Sequence, residues 1–203
     1  KPLVYSTAIE DHGYEYVHQF IGKEPSGVSF NAFTLNYENK PHNACINSGA
    51  IACAGLFHPE LHSSAKFKYL TRRLKDLTGG KKVGFNQAVF LSEKDTAHRN
   101  FALAHYMKSM GSFPPNVSIT QALDFYFQAC SIDVDCEKVA AIAATYANNG
   151  VNPITLQKTM TAETVKRTMQ LMFTAGMYDY SGEWSNTVGL PAKSGVAGSV
   201  FVV

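Results

Sequence analysis

Apolar and polar positions along the chain alternate mostly with a helical period, and only the final stretch turns extended. Residues 1–11 carry an apolar pattern that stops before Gly13, and residues 15–21 repeat it before Gly22. Residues 23–43, KEPSGVSFNAFTLNYENKPHN, break the pattern; rich in Pro, Asn, Ser and Gly yet holding aromatics, they predict a long ordered loop. Asn47 opens a compact apolar helix, NSGAIACAGLF, whose Gly49, Ala50, Ala52 and Ala54 are small enough for another backbone to come close. Ser63 or Ser64 caps a helix to about Leu77, closed by Gly79-Gly80. Ser92 with Asp95 reads as a capping-box start for a helix to Met110, and Ser118 with Gln121 as a better one for ITQALDFYFQA. Asp135 begins CEKVAAIAATYA, and Thr161 begins a helix reaching Phe173. After Trp184 the pattern predicts an antiparallel pair, WSNTVGL and VAGSVFVV, around a turn region PAKSG. One hairpin alone is marginal, so it calls for partner strands beyond this sequence. The start, KPLVYSTAIE, has no initiator Met or targeting peptide, and GSVFVV ends with no turn or cap; both ends read as cut.

Composition narrows the function classes. With 203 residues, 45% hydrophobic and 17% charged, the chain holds enough apolar material for one large domain or a major part of one. A net charge of +2 with scattered Lys and Arg argues against a nucleic-acid partner, and the Arg72-Arg73-Leu74-Lys75 cluster reads as a solvated helix face. No apolar run approaches the roughly 20 residues of a membrane span. Cys45, Cys53, Cys130 and Cys136 match neither zinc spacing nor a disulfide scaffold, and Cys53 and Cys130 read as reduced, buried thiols. His58 and His62 enclose a proline and lack the Glu of HExxH, so no metal site is expected.

Two features carry chemistry. On a helix over residues 92–110, at about 100° per residue, Glu93, Ala97, Asn100, Ala104 and Met107 share one stripe. Lys94, Asp95, His98, Arg99, His105 and Ser109 lie opposite. Glu93 and Asn100 are then polar groups on a core-facing side, which is costly without partners. Either they face a cavity that takes an ammonium-bearing ligand, or Glu93 stays wet at the positive helix end while Asn100 bonds a loop. The second feature is Lys193-Ser194-Gly195 between two strand-like runs; a Lys-Thr/Ser-Gly strand borders the active site in enzymes with a Ser-x-x-Lys nucleophile motif.

Longer segments carry a resemblance. EYVHQFIGKEPSG, KPHNACINSGAI, SEKDTAHRNFALAHY, LDFYFQACSI, AATYANNGVNPIT, GMYDYSGEW and GLPAKSGVAG resemble the serine-dependent glutaminases of the β-lactamase-like superfamily, the animal kidney-type enzymes most of all. The resemblance runs from residue 1 to residue 203 almost without gaps. It implies an α+β, β-lactamase/transpeptidase-like fold: the helical part plus C-terminal antiparallel strands of an incomplete central sheet. Residues 1–203 are then one partial catalytic domain.

The implied activity is hydrolysis of L-glutamine to L-glutamate and ammonia through a serine acyl-enzyme. The implied nucleophile stands three residues before Lys1, so these 203 residues alone are expected to be inactive. The resemblance makes Lys1 the base, Lys193 a second cation that keeps Lys1 uncharged, and Tyr178 the proton shuttle. The Val196 N–H forms half of an oxyanion hole. Asn47, Glu93, Asn100 and Tyr126 match residues that hold the amino and carboxylate groups of glutamine. On pattern alone Tyr126, between Phe125 and Phe127, reads as core, and Tyr178 as a structural hydroxyl. The loop segment GVSFNAFTLN resembles one near the contact between dimers. Phe30 and Phe33 then sit either at a subunit interface or simply packed under the loop. The resemblance further implies a homo-oligomer, dimer or tetramer, with phosphate as an activator and no cofactor. The implied location is mitochondrial, otherwise cytoplasmic. A non-catalytic regulatory subunit, another amidase and a β-lactam-binding enzyme on the same scaffold remain the alternatives.

Overall fold

Ten helices and two short antiparallel ribbons make up the computed structural model, which describes residues 1–203. The center is α3 (Asn47–Leu56), in which every residue after Asn47 is buried. Its small residues do what their size predicts: a Cβ on Gly49 would overlap the Asn43 carbonyl, so the loop backbone lies directly on the helix. Around α3 stand α1 (Pro2–His12), α6 (His98–Ser109) and α7 (Ile119–Cys130). Phe57 stacks on Phe125 of α7 at 4.3 Å between ring centroids, inside one continuous cluster of 35 buried residues. The Ser118 hydroxyl accepts from Gln121 N–H at the start of α7. In the same manner Asp135 caps α8 (Cys136–Ala147) and Thr161 caps α9 (Ala162–Ala175). The helix α4 (Ser63–Leu77) buries Leu70, Leu74, Leu77 and Lys66 and exposes Lys68, Arg72 and Lys75, but Arg73, expected on the solvated face, is half-buried and donates to the Thr159 carbonyl at 2.7 Å.

Four local expectations change. The helix expected over 15–21 is only α2 (Tyr14–Val17), because the His18 imidazole is taken by the Ile21 carbonyl and the Tyr5 hydroxyl, both at 2.8 Å, and the chain turns around it. Burial drops the His18 pKa to about 4, so the ring is neutral.

The expected helix 92–110 is two helices. α5 (Gln87–Asp95) starts earlier, with the Asn86 side chain accepting from Val89 N–H, so Ser92 lies inside it and caps nothing. The Thr96 hydroxyl bonds back to the Ser92 carbonyl at the break, and α6 follows. The stripe survives this break: Ala97, Ala104 and Met107 are buried, Glu93 and Asn100 half-buried, and the residues placed opposite exposed.

WSNTVGL is not extended. Trp184 to Thr187 belong to α10 (Ser181–Thr187), where Ser185, Asn186 and Thr187 side chains each bond a carbonyl four residues back. Local side-chain hydrogen bonds outweigh the β-branched composition here. The strand instead forms inside the expected turn. Ala192–Ser194 pairs with Val200–Val202, with Lys193 opposite Phe201, and the turn is residues 195–199. These two strands follow a first ribbon the pattern did not show, Gly84–Phe85 with Ile132–Asp133. In chain order the four are β1 (84–85), β2 (132–133), β3 (192–194) and β4 (200–202). No helix is long and apolar enough to cross a membrane.

Candidate active site

Segments far apart in sequence converge on one cavity of about 840 Å³. Lys1, at the cap position of α1, lines it, and Asn47, the first residue of α3, stands beside it. The Lys1 ammonium Nζ donates to Asn47 Oδ1 at 2.9 Å and to the Tyr178 phenolic oxygen at 3.4 Å. Asn47 is held in turn: its backbone N–H donates to the Phe30 carbonyl at 2.9 Å and its Nδ2 to Asn100 Oδ1 at 3.4 Å.

The far wall is the segment from Gly176 through the β3–β4 turn. A Cβ on Gly176 would overlap the Ala192 carbonyl, so only glycine lets β3 lie against the end of α9. Ser194 N–H donates to the Gly176 carbonyl at 3.1 Å and fixes the strand there. Two residues on, Tyr178 has φ of +55°, a left-handed conformation that costs a bulky residue roughly 1 kcal/mol or more. This backbone aims the phenol between two lysines. The Lys193 ammonium sits 3.8 Å from the Tyr178 ring centroid, and the Phe30 ring packs on the same tyrosine at 4.8 Å. Lys193 also donates to the Ser194 carbonyl at 2.6 Å.

Burial sets the electrostatics. It lowers the pKa of Lys1; the Glu93 carboxylate works against that lowering. The thiols of Cys45 and Cys130, raised by burial, are uncharged at neutral pH and oppose it little. Lys193 drops to about 8 through burial first and the Lys1 charge after it. Tyr178 rises to about 12 by burial, so its phenol keeps its proton at any physiological pH. The site thus holds two amines poised to lose protons beside a phenol that keeps one.

Glu93, Tyr126 and Val196 complete the lining. Glu93 has no ion-pair partner in the chain, whereas its neighbor Lys94 pairs with Asp124 at 2.8 Å. The Val196 N–H donates to no other backbone group, and the residue is 78% exposed at the mouth of the cavity. Seven of the eight sequence-derived candidates therefore line one space. Asn100 does not line it and reaches it only through Asn47. Tyr126 is buried among aromatics, yet lines the cavity.

The family model described as Glutaminase matches residues 1–203, the whole chain. The chain belongs to the glutaminase family. It is 44% identical to the mitochondrial liver isoform of glutaminase from Rattus norvegicus over 203 residues, covering 100% of this chain and 34% of that protein. It is 41% identical to a glutaminase of Nostoc over 206 residues, which is 60% of that protein. The chain thus spans about a third of the animal relatives' length. Among solved structures, a Bacillus glutaminase crystallized in 4.3 M NaCl superposes with a TM-score of 0.91 at 32% identity, over 99% of this chain and 67% of that one. A probable glutaminase of Bacillus subtilis gives the same TM-score at 33% identity, over 98% of this chain and 64% of that one. The fold is accordingly the β-lactamase-like α+β arrangement of this glutaminase family.

Two lining residues escape the sequence reading. Cys130, read there as a buried core thiol, is instead exposed and lines the cavity together with Tyr126. Phe30 also lines the cavity, on Tyr178, while Phe33 lies outside it, half-exposed and stacked on Tyr106 at 4.7 Å. Nothing in the one-dimensional pattern separates a thiol at a helix end from one in the core.

Proposed function

We propose that the full-length protein hydrolyzes L-glutamine to L-glutamate and ammonia, and that these residues supply the helical wall of its active site. One observation carries the reading: a half-buried lysine, bonded to Asn47 and Tyr178, shares its cavity with a carboxylate that has no cation of its own. That carboxylate suits the α-ammonium of an amino acid, and Tyr126 with the Asn47–Asn100 pair suits its carboxylate. Family membership supports the amide of glutamine as the bond broken.

The nucleophile in this reading is a serine three residues ahead of Lys1. An uncharged Lys1 amine keeps two N–H bonds, for Asn47 and Tyr178, and offers its lone pair to the serine hydroxyl. As the serine oxygen bonds to the amide carbon, its proton passes to Lys1 and the carbonyl oxygen becomes an oxyanion facing the Val196 N–H. The proton travels on through the Tyr178 phenol to the leaving nitrogen, the carbon–nitrogen bond breaks, and ammonia departs. Water then gives a proton to the same relay and attacks the ester; the serine oxygen takes the proton back as glutamate leaves. Lys193 keeps a second positive charge near and so favors the uncharged form of Lys1.

The test is ammonia release from glutamine by the full-length protein, with trapping of the acyl-enzyme by hydroxylamine as γ-glutamyl hydroxamate and nitrocefin as the competing substrate. Ammonia and hydroxamate support the reading. Nitrocefin turnover without ammonia moves the protein to a β-lactam-directed enzyme, and neither activity moves it to a regulatory subunit. The same reading extends to a mitochondrial, homo-oligomeric protein activated by phosphate. Organelle fractionation, and sedimentation with and without phosphate, check those three properties.

A further inference from the structure

Tyr178 occupies a backbone conformation that its own side chain disfavors, and one hydroxyl spans the strained residue. Ser181, at the start of α10, is 4% exposed. Its Oγ accepts from Met177 N–H at 3.0 Å, on one side of Tyr178, and donates to the Tyr178 carbonyl at 2.7 Å on the other. The backbone N–H of Ser181 donates to that same carbonyl. Ser181 is itself anchored, since Ser185 Oγ donates to its carbonyl at 2.8 Å and to the Phe173 carbonyl of α9 at 3.1 Å. The strained residue is thus stapled at its amide neighbor and at its carbonyl, and the staple is tied to two helices.

We infer that Ser181 is a positioning residue, which holds Tyr178 in its left-handed conformation so that the phenol stays between Lys1 and Lys193. The inference rests on the reading of Tyr178 as the proton relay. The phenolic oxygen is the far end of a long side chain, so a modest backbone rotation at φ of +55° carries it well out of reach. The contact with Lys1 is already 3.4 Å and has no slack. Without the hydroxyl, the remaining backbone bond leaves Tyr178 free to relax toward a right-handed turn. The Met177 N–H would at the same time lose its acceptor.

The experiment is a double-mutant cycle in the full-length enzyme. Ser181→Ala is expected to lower kcat for glutamine about 10–100-fold, the scale set by misplacing a reacting group by an ångström. KM should stay within about threefold, since Glu93 and Tyr126 are untouched. In a Tyr178→Phe background the same change is expected to lower kcat less than about twofold, because the hydroxyl it positions has gone. An equal loss in both backgrounds assigns Ser181 a general structural role and overturns the inference, as does a Ser181→Ala enzyme with wild-type kcat. A Tyr178→Phe enzyme as fast as wild type overturns the relay and this inference together. If Ser181→Ala fails to fold, Ser181→Cys fills the same space with a much weaker hydrogen-bonding group; a loss confined to the Tyr178 background supports the staple, and wild-type kcat overturns it.

Discussion

Replacing Lys193 by methionine should stabilize the protein while damaging it as a catalyst. Lys193 is 7% exposed and its folded pKa is about 8, against an ordinary value of 10.5. The sign follows from proton counting. Between pH 8 and 10.5 the unfolded chain holds this proton and the folded chain does not, so stability rises with pH across that window. Below pH 8 both states are charged, and the folded state carries the whole penalty. Lowering the Lys193 pKa from 10.5 to about 8 corresponds to about 3 kcal/mol, with a slope of up to about 1.4 kcal/mol per pH unit. Tyr178 acts with the opposite sign above its unfolded value near 10, and the thiols of Cys45, Cys53 and Cys130 do so above about 9, so the lysine is read from the difference between wild type and variant. Lys1, lowered in the same direction, contributes to wild type and less to the variant, where the neighboring Lys193 charge is gone, so its change adds to the difference with the same sign. Urea unfolding of the full-length chain at half-unit steps from pH 7 to 10 measures this. Lys193→Met should lose most of the rise seen in wild type and gain about 1–3 kcal/mol at pH 7. A variant with the wild-type slope, or one less stable at pH 7, would refute the reasoning.

Further predictions concern other parts of the site and its frame. Glu93→Gln keeps the shape but removes the charge facing the ligand ammonium, so KM for glutamine should rise roughly 10–100-fold with a smaller change in kcat; steady-state kinetics read the split. Activity should climb with pH along an acid limb lying below the ordinary lysine range as Lys1 loses its proton, and Lys193→Met should move that limb upward by returning charge preference to Lys1; a pH profile of kcat/KM checks both. Phe125→Ala removes a fully buried ring stacked on Phe57 and should cost about 3–5 kcal/mol in urea unfolding, lowering yield of folded enzyme without changing KM.

How much of this was legible beforehand varies with the kind of signal. Helices with a side-chain cap and one apolar face, α7, α8 and α9, stand where Ser118, Asp135 and Thr161 placed them, because both signals are local. The break at Thr96 was hidden because Ser92 and Asp95 mimic a cap within an existing helix, and only Asn86 further upstream is the true start. The stripe with Glu93 and Asn100 was nonetheless readable, since the interruption is only two residues, Thr96 and Ala97, and both helices keep their stripe residues turned inward. α10 was misread because serine, asparagine and threonine bonding back to their own helix override their usual preference. The convergence of Lys1, Asn47 and Tyr178 has no one-dimensional signature at all. Those residues are separated by up to 177 positions, and only the resemblance brought them together before the fold did.

Catalysis in this scheme depends on Lys1 acting as an uncharged amine. Kinetics of the full-length Lys1→Arg enzyme test this most directly, because a guanidinium fills the space and keeps the charge but cannot give up its proton. The predicted result is a loss of kcat of about a thousandfold or more, with KM for glutamine within a fewfold of wild type. An arginine enzyme that turns over glutamine within tenfold of wild type would contradict the role assigned to that amine.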